Sequence, residues 1–230
     1  MAEALAGVFV TGTGTEVGKT VVAAAIARTL AAKGVRVNVF KPAVTGLEEP
    51  GEADHELLRR AAGSAQSDEE IAPYRYEPPA SPHLAAAMAG EEIEPERLLA
   101  AARAASAGAD LVCEGVGGFL VPLLGRVCTA MRQELDPPFL VRDLAVDLGL
   151  PVVVAASPGL GTINHTLLTI EAARAAGLEV AAVVLTPWPE EPSEIERSNR
   201  ETIAALGEVE VSTLPRLDLS DPGSWPALSW

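Results

Sequence analysis

The sequence predicts an α/β fold: a single domain over residues 1–230, built as a parallel sheet with helices on both faces. Three observations predict it. Short, continuously apolar runs alternate with longer Ala/Leu-rich stretches of helical periodicity, the pattern of strands covered on both sides. The glycine-rich segment Gly12-Thr-Gly-Thr-Glu-Val-Gly-Lys19-Thr20 falls between the first such run and the first helical stretch, where a phosphate loop belongs. No internal repeat and no linker divides the 230 residues into two cores.

The elements follow in order. Residues 7–11 read as the first strand, and the loop after it leads into a helix over 19–33. A second strand, 35–40, ends at Lys41, and Asp54–Ala62 follows as an amphipathic helix. Residues 73–82 are proline-rich and read as a loop, closing on Ser81 as a helix N-cap with Pro82 at the first helical position. A helix over 95–107 precedes the strand Asp110–Glu114. Then come helix Val141–Leu148, strand 151–156, helix 163–176, strand 180–186, helix 193–206 and strand 209–214. Residues 215–230 form the C-terminal turn and tail. A phosphate loop between the first strand and helix makes the class P-loop NTPase-like.

Composition narrows the partners. Only 4% of residues are aromatic, so the core must be built from Ala, Val, Leu and Ile. Seventeen basic residues against 32 acidic give a net charge of −15. No net positive field exists to steer polyanions, which argues against nucleic acid or an anionic membrane as partner. A phosphate ligand must therefore be held locally, by backbone amides and a few placed cations. Two cysteines, Cys113 and Cys128, make neither a disulfide framework nor a four-thiolate zinc site. No run reaches the ~18 apolar residues of a membrane span, and no basic region precedes an apolar leader. The expected compartment is the cytoplasm.

The phosphate loop carries the clearest chemistry. Its glycines let successive amides face an anion, and the helix N-terminus adds its positive end. Lys19 can reach the outer phosphates, and the Thr20 hydroxyl can hold magnesium. Gly12 stands one residue further from Gly18 than the usual spacing, with Thr13 at the expected glycine. Glu114 closes an apolar run and is followed by Gly115-Val116-Gly117-Gly118. A carboxylate at the end of a parallel strand points into the crevice where such sheets bind ligands, and it can hold magnesium directly or through water. Lys41, opening Lys41-Pro-Ala-Val-Thr45-Gly, ends the second strand on the same edge. Asp54 opens a helix, and its spacing alone reads as an N-cap.

Taken together, VTGTGTEVGKT, KPAVTG, an Asp before a helix, Ser81-Pro-His, EGVGG and GTINHTLLT resemble, in that order, the dethiobiotin synthetase family. The likeness runs from about residue 8 to residue 217. It implies an ATP-dependent enzyme of biotin synthesis, with magnesium as cofactor and 7,8-diaminononanoate and CO2 as substrates, which closes a ureido ring. It implies a phosphate loop of Glu16, Val17, Gly18, Lys19, Thr20 and Val21, with Thr15 beside the substrate. Lys41 takes the family's catalytic lysine, with Lys19 on the phosphates. Thr45 takes a substrate contact, and Asp54 and Glu114 join Thr20 as magnesium ligands, against the cap reading of Asp54. Glu114, Gly115, Val116 and Gly117 border the nucleotide, as do Pro215, Arg216 and Leu217. Gly161, Thr162, Ile163 and Asn164 take the helix start that receives the substrate carboxylate across a homodimer interface, a role that suits the free amides of a helix N-terminus.

Two departures from the family pattern stand out. An Asn-Asp pair commonly ends the fifth strand, and its Asn reads the adenine; here Leu185-Thr186 stands instead. That leaves other nucleoside triphosphates open as co-substrates. The segment 124–139 is longer than the usual loop after the glycines. The competing reading is a nucleotide-switch ATPase of the partition or positioning type. Such proteins carry a second lysine inside the phosphate loop and a basic amphipathic C-terminal helix. Thr13 to Val17 contain no lysine, and the chain ends SDPGSWPALSW.

Overall fold

The computed structural model describes residues 5–48, 50–124 and 137–230. In chain order these form β1 (Gly7–Gly12), α1 (Lys19–Ala32), β2 (Val37–Phe40), α2 (Asp54–Ala62), α3 (Asp68–Ile71), α4 (Pro82–Ala89) and α5 (Pro95–Ala105). There follow β3 (Asp110–Glu114), β4 (Pro122–Leu124), β5 (Phe139–Leu140), α6 (Val141–Leu148) and β6 (Val152–Ala156). The last are α7 (Thr162–Ala175), β7 (Val180–Trp188), α8 (Glu194–Gly207) and β8 (Glu210–Pro215). Six strands make one sheet in the order β2-β3-β1-β6-β7-β8, all parallel. The predicted class and the predicted strands are therefore present.

The strands read as unbroken apolar runs because alternate side chains enter two different cores. Phe9, Leu111, Cys113, Val152, Val154, Val183 and Leu185 face one, together with Leu98 of α5, Leu144 of α6, Ile170 of α7 and Ile203 of α8. Val8, Val10, Val112, Val153, Ala155 and Val184 face the other, under α1 and α2. Phe9, Phe40, Leu111 and Ile26 are fully buried; each such side chain contributes about 1.5–3 kcal/mol. From Val22 to Ala27 every residue of α1 is buried. Its alanines let the helix lie close to the sheet, α2 and the C-terminal tail, so it shows no polar face.

Boundaries shift by one or two residues, as helix and strand ends do. Two helices and one small ladder go beyond the sequence reading. α3 is a single turn, capped by Ser67 and Glu70 in a capping box, and is too short to show a period. α4 grows from the predicted Ser81-Pro82 start and stops at left-handed Gly90. β4 and β5 make a two-stranded antiparallel pair. The expected long segment 124–139 falls largely on residues outside those described.

β1 lies between β3 and β6. The chain leaves β1 for one side of the sheet and later returns to the other. Loops at the carboxyl ends of β1 and β3 therefore part, and a crevice opens there.

Candidate active site

The turn after β1 is shaped by two glycines. Gly18 is the N-cap of α1 with φ 87°. A Cβ there would lie 2.5 Å from Thr186 Cγ2, so backbone and neighbour both demand glycine. Gly12 answers the spacing anomaly. The aliphatic stem of Lys19 passes over it, and a Cβ at Gly12 would sit 2.8 Å from Lys19 Cγ and 2.7 Å from Val17 Cγ2. Thr13 instead ties the loop to β6 through its N–H to Ala155 O at 3.1 Å. The Lys19 ammonium donates to Gly14 O at 2.7 Å and is held over the loop. Burial pulls its pKa below the usual lysine value, against the attraction of Glu114.

Strand register builds the charged cluster. Phe40 pairs with Cys113, so Lys41 and Glu114 emerge side by side at the carboxyl edge. Lys41 Nζ lies 2.6 Å from Glu114 Oε1 and 2.7 Å from Asp54 Oδ2. Thr20 Oγ1 donates to the same Glu114 oxygen at 2.9 Å. Burial works against charge on Lys41, but the two carboxylates outweigh it and raise its pKa. Burial also pushes the Glu114 carboxyl up, with the Lys41 ammonium opposing. Asp54 is more open; burial pushes its carboxyl up, but Lys41, Thr20 and Lys19 together pull it down further, so it sits below its ordinary value.

The cap reading of Asp54 from spacing is corrected here. Ala53 is the N-cap of α2 and Asp54 its first residue. Glu56 serves the helix start instead, accepting the Ala53 N–H at 3.0 Å. That releases the Asp54 side chain to reach Lys41.

Glu114 Oε2 is buried and has no hydrogen-bond partner among the described residues. An orphaned acceptor of this kind is costly unless a cation or donor fills it. With Thr20 Oγ1 and the Asp54 carboxylate it offers hard oxygens of the type magnesium prefers. Among the described residues no cluster of three or more His, Cys, Asp or Glu could hold a metal ion. A magnesium ion at this spot would complete its shell with water and phosphate oxygens, its usual habit.

These groups line a cleft of about 820 Å³. Thr15, Glu16, Gly18, Lys19, Thr20 and Val21 form one wall. Lys41, Thr45, Asp54, Glu114, Val116 and Gly117 form the rest of the predicted set. Val17 is outside that lining, its side chain packed against the α1-side core. Gly115 backs onto Val141 and Phe9. Pro215, Arg216 and Leu217 are not in the walls either, whereas Leu219 is. A groove of about 700 Å³ beside β8 contains neither a glycine loop nor a buried lysine.

Gly161, Thr162, Ile163 and Asn164 also lie outside the cleft of their own chain. Gly161 caps α7, Thr162 is buried with its hydroxyl 3.3 Å from that of Thr166, and Asn164 is exposed. Buried Asn199 of α8 holds the preceding loop, donating to Pro158 O at 2.9 Å and Gly159 O at 3.1 Å. Sequence reasoning passed over Asn199. The available signal was its place four residues before Ile203, on the buried side of α8. Before the last two residues of β7, Leu185 is fully buried in the core and Thr186 packs against Gly18, so no side-chain amide stands there.

Comparison with known proteins gives a consistent family. The AAA domain family model matches residues 6–223. The chain is 43% identical to the ATP-dependent dethiobiotin synthetase BioD of Anaeromyxobacter dehalogenans (strain 2CP-C), over 87% of this chain and 89% of that protein. It is 41% identical to the protein of the same name from Rhodococcus erythropolis, over 94% and 88%. With that of Bacillus subtilis (strain 168) it shares 34% identity, over 87% and 82%.

Proposed function

The chain belongs to the ATP-dependent dethiobiotin synthetase family, and from that premise we propose that its cleft joins 7,8-diaminononanoate, CO2 and a nucleoside triphosphate to form dethiobiotin, the diphosphate and phosphate. One observation carries the reading at residue level. Two buried lysines, Lys19 and Lys41, face one cleft beside a phosphate loop. A cleft that only hydrolyses or switches on a nucleotide needs cations for the phosphates alone. A second cation suits a second anion, the carbamate.

In the proposed reaction one substrate amine bonds to CO2 and releases a proton, leaving a carbamate. A carbamate oxygen attacks the γ-phosphorus and the diphosphate leaves. The second amine then attacks the carbonyl carbon of the mixed anhydride, the carbon–oxygen bond to phosphate breaks, the attacking nitrogen releases a proton, and the ureido ring closes. Loop amides and Lys19 hold the phosphoryl oxygens, where charge accumulates in the transition state. Lys41 stays an ammonium, because Glu114 and Asp54 raise its pKa, and acts as a fixed cation rather than a proton acceptor. Thr20, Asp54 and Glu114 would hold magnesium, which would supply further neutralisation of the phosphate charge. Thr15 and Thr45 border the substrate. Glu16, Val17, Gly18 and Val21 offer backbone around the phosphates, and Val116 and Gly117 border the rest of the nucleotide, with Gly115 behind them and Pro215, Arg216 and Leu217 leading to the wall residue Leu219. Fixing both amines near one carbonyl makes closure effectively unimolecular. The reading is tested by phosphate release, which should require both the diamine and bicarbonate; release that ignores either contradicts it.

We assign the substrate carboxylate to the start of α7 in a second copy of the chain, in a homodimer. Support comes from exposed Leu160, just before a helix start that its own cleft does not use, and Leu168, halfway along the same helix, 95% and 56% accessible. Mixing Asn164→Ala with Lys41→Ala protein should then restore activity. Random exchange makes about half the dimers hybrid, each with one intact site of two, so about a quarter of wild-type activity returns. No recovery after verified subunit exchange would contradict shared sites.

Weak discrimination among nucleoside triphosphates is expected as well. An amide paired with a base edge rejects other bases because its own groups would be left unpaired. Leu185 is core and Thr186 is packed on Gly18, so that penalty is missing. ATP, CTP, GTP and UTP should differ by less than roughly tenfold in kcat/KM. An ATP preference of about a hundredfold or more would mean that another group reads adenine.

A further inference from the structure

The sequence leaves the C-terminal tryptophans without a role, and the cleft contains a wall residue, Leu219, that no motif accounts for. The structure connects the two. Past β8 the chain turns back over the α1 side of the sheet. Trp225 and Leu228 are buried there among Val22, Ile26 and Leu214. The Trp225 indole N–H donates to Asp218 O at 2.7 Å, pinning the turn one residue before Leu219. Asp218 Oδ1 accepts from the Ser220 N–H at 2.9 Å and hydroxyl at 2.6 Å, which tightens the same turn.

Three side chains fasten this segment to the helices of the site. Arg28 of α1 donates to Pro222 O at 3.1 Å. Thr29 of α1 accepts the Leu228 N–H at 3.0 Å, and that contact is buried. From α2, Arg60 donates to Leu219 O at 2.7 Å while pairing with Glu52 at 2.6 Å. Glu52 and Leu219 both line the cleft. The helix that supplies Arg60 begins with Asp54, the partner of Lys41.

We propose that residues 216–230 form a strap that fixes one wall of the nucleotide cleft, with Trp225 as its latch and Arg60 as its tie to α2. Trp225 and Arg60 are positioning residues: neither lines the cleft, and each acts through Leu219. The backbone carbonyls of residues 218 and 219 are each held by one of them, so Leu219 has little freedom to move. A wall held this way presents the same surface to the nucleotide before and after binding, and less ordering remains to be done on binding. Loosening it weakens the nucleotide's hold without touching the reacting groups. The inference rests on the reading that this cleft takes the nucleoside triphosphate.

The test compares KM for the nucleotide, KM for diaminononanoate and kcat in Trp225→Phe, Arg60→Gln and Arg60→Lys. Phe keeps an aromatic ring in the core while removing the indole donor and some volume, and the thermal midpoint reports the packing lost. Each lost donor should raise the nucleotide KM about three- to tenfold, with kcat and the diamine KM within about twofold. Arg60→Lys, which keeps one donor, should fall between wild type and Arg60→Gln. A lower thermal midpoint with no selective rise in nucleotide KM would make these residues structural only and overturn the strap. Lys19→Ala separates the two ideas. If it abolishes turnover while the strap variants show no split, the strap alone is wrong. If Lys19→Ala also leaves turnover and nucleotide binding intact, the reading of the cleft fails, and the strap with it.

Discussion

Lys19→Ala should reduce diaminononanoate-dependent phosphate release by several hundredfold or more and leave the fold intact. The lysine stem lies over Gly12 and its ammonium is held at the loop by Gly14 O, so the cation is placed before any phosphate arrives. Loss of one preorganised donor to a developing oxyanion costs on the order of 3–4 kcal/mol of barrier, which is a few hundredfold in rate. Stability should change little. Burial already disfavours the Lys19 cation, and its only described hydrogen bond is to one backbone oxygen. Turnover within about fivefold of wild type, small on that scale, would remove Lys19 from the chemistry.

Lys41→Met should be both inactive and unstable, and the second effect separates it from Lys19→Ala. Met fills similar volume but leaves Glu114, fully buried, and Asp54 facing each other without their cation. Stranding a buried charge costs about 3–5 kcal/mol, whereas replacing a whole buried pair is often neutral. Asp54 is 44% exposed, so solvent relieves part of its repulsion and the loss should sit towards the lower end. Glu114→Gln added to Lys41→Met should therefore recover stability without recovering activity, a non-additivity that a double-mutant cycle measures. If Lys41→Met unfolds at the same denaturant concentration as wild type, the cluster is not coupled as its distances indicate.

The strands were legible because both faces of the sheet are buried, which makes each one an apolar run. Lys19, Thr20, Lys41 and Glu114 were legible because strand ends and a glycine loop mark where a parallel sheet presents its ligand groups. Asp54 was not legible from spacing. An acidic N-cap and an acidic first residue look alike until Glu56 is seen to serve the helix start. Leu219 and Asn199 were hidden for another reason. Arg60 reaches Leu219 across 159 positions of sequence and Asn199 reaches Pro158 across 41, so no local pattern could carry either contact. Pro215, Arg216 and Leu217 were placed by likeness, whereas the strap brings Leu219 to the wall.

This cleft should spend one nucleoside triphosphate to turn one captured CO2 into a ring carbonyl. Incubation with diaminononanoate, carbon-labelled bicarbonate and magnesium nucleotide, followed by mass spectrometry of the product, tests it most directly. The expected product has gained one labelled carbonyl and lost two hydrogens relative to the diamine, with one phosphate released per labelled carbon. Phosphate released without labelled ring product, at the same rate whether or not the diamine is present, would contradict it.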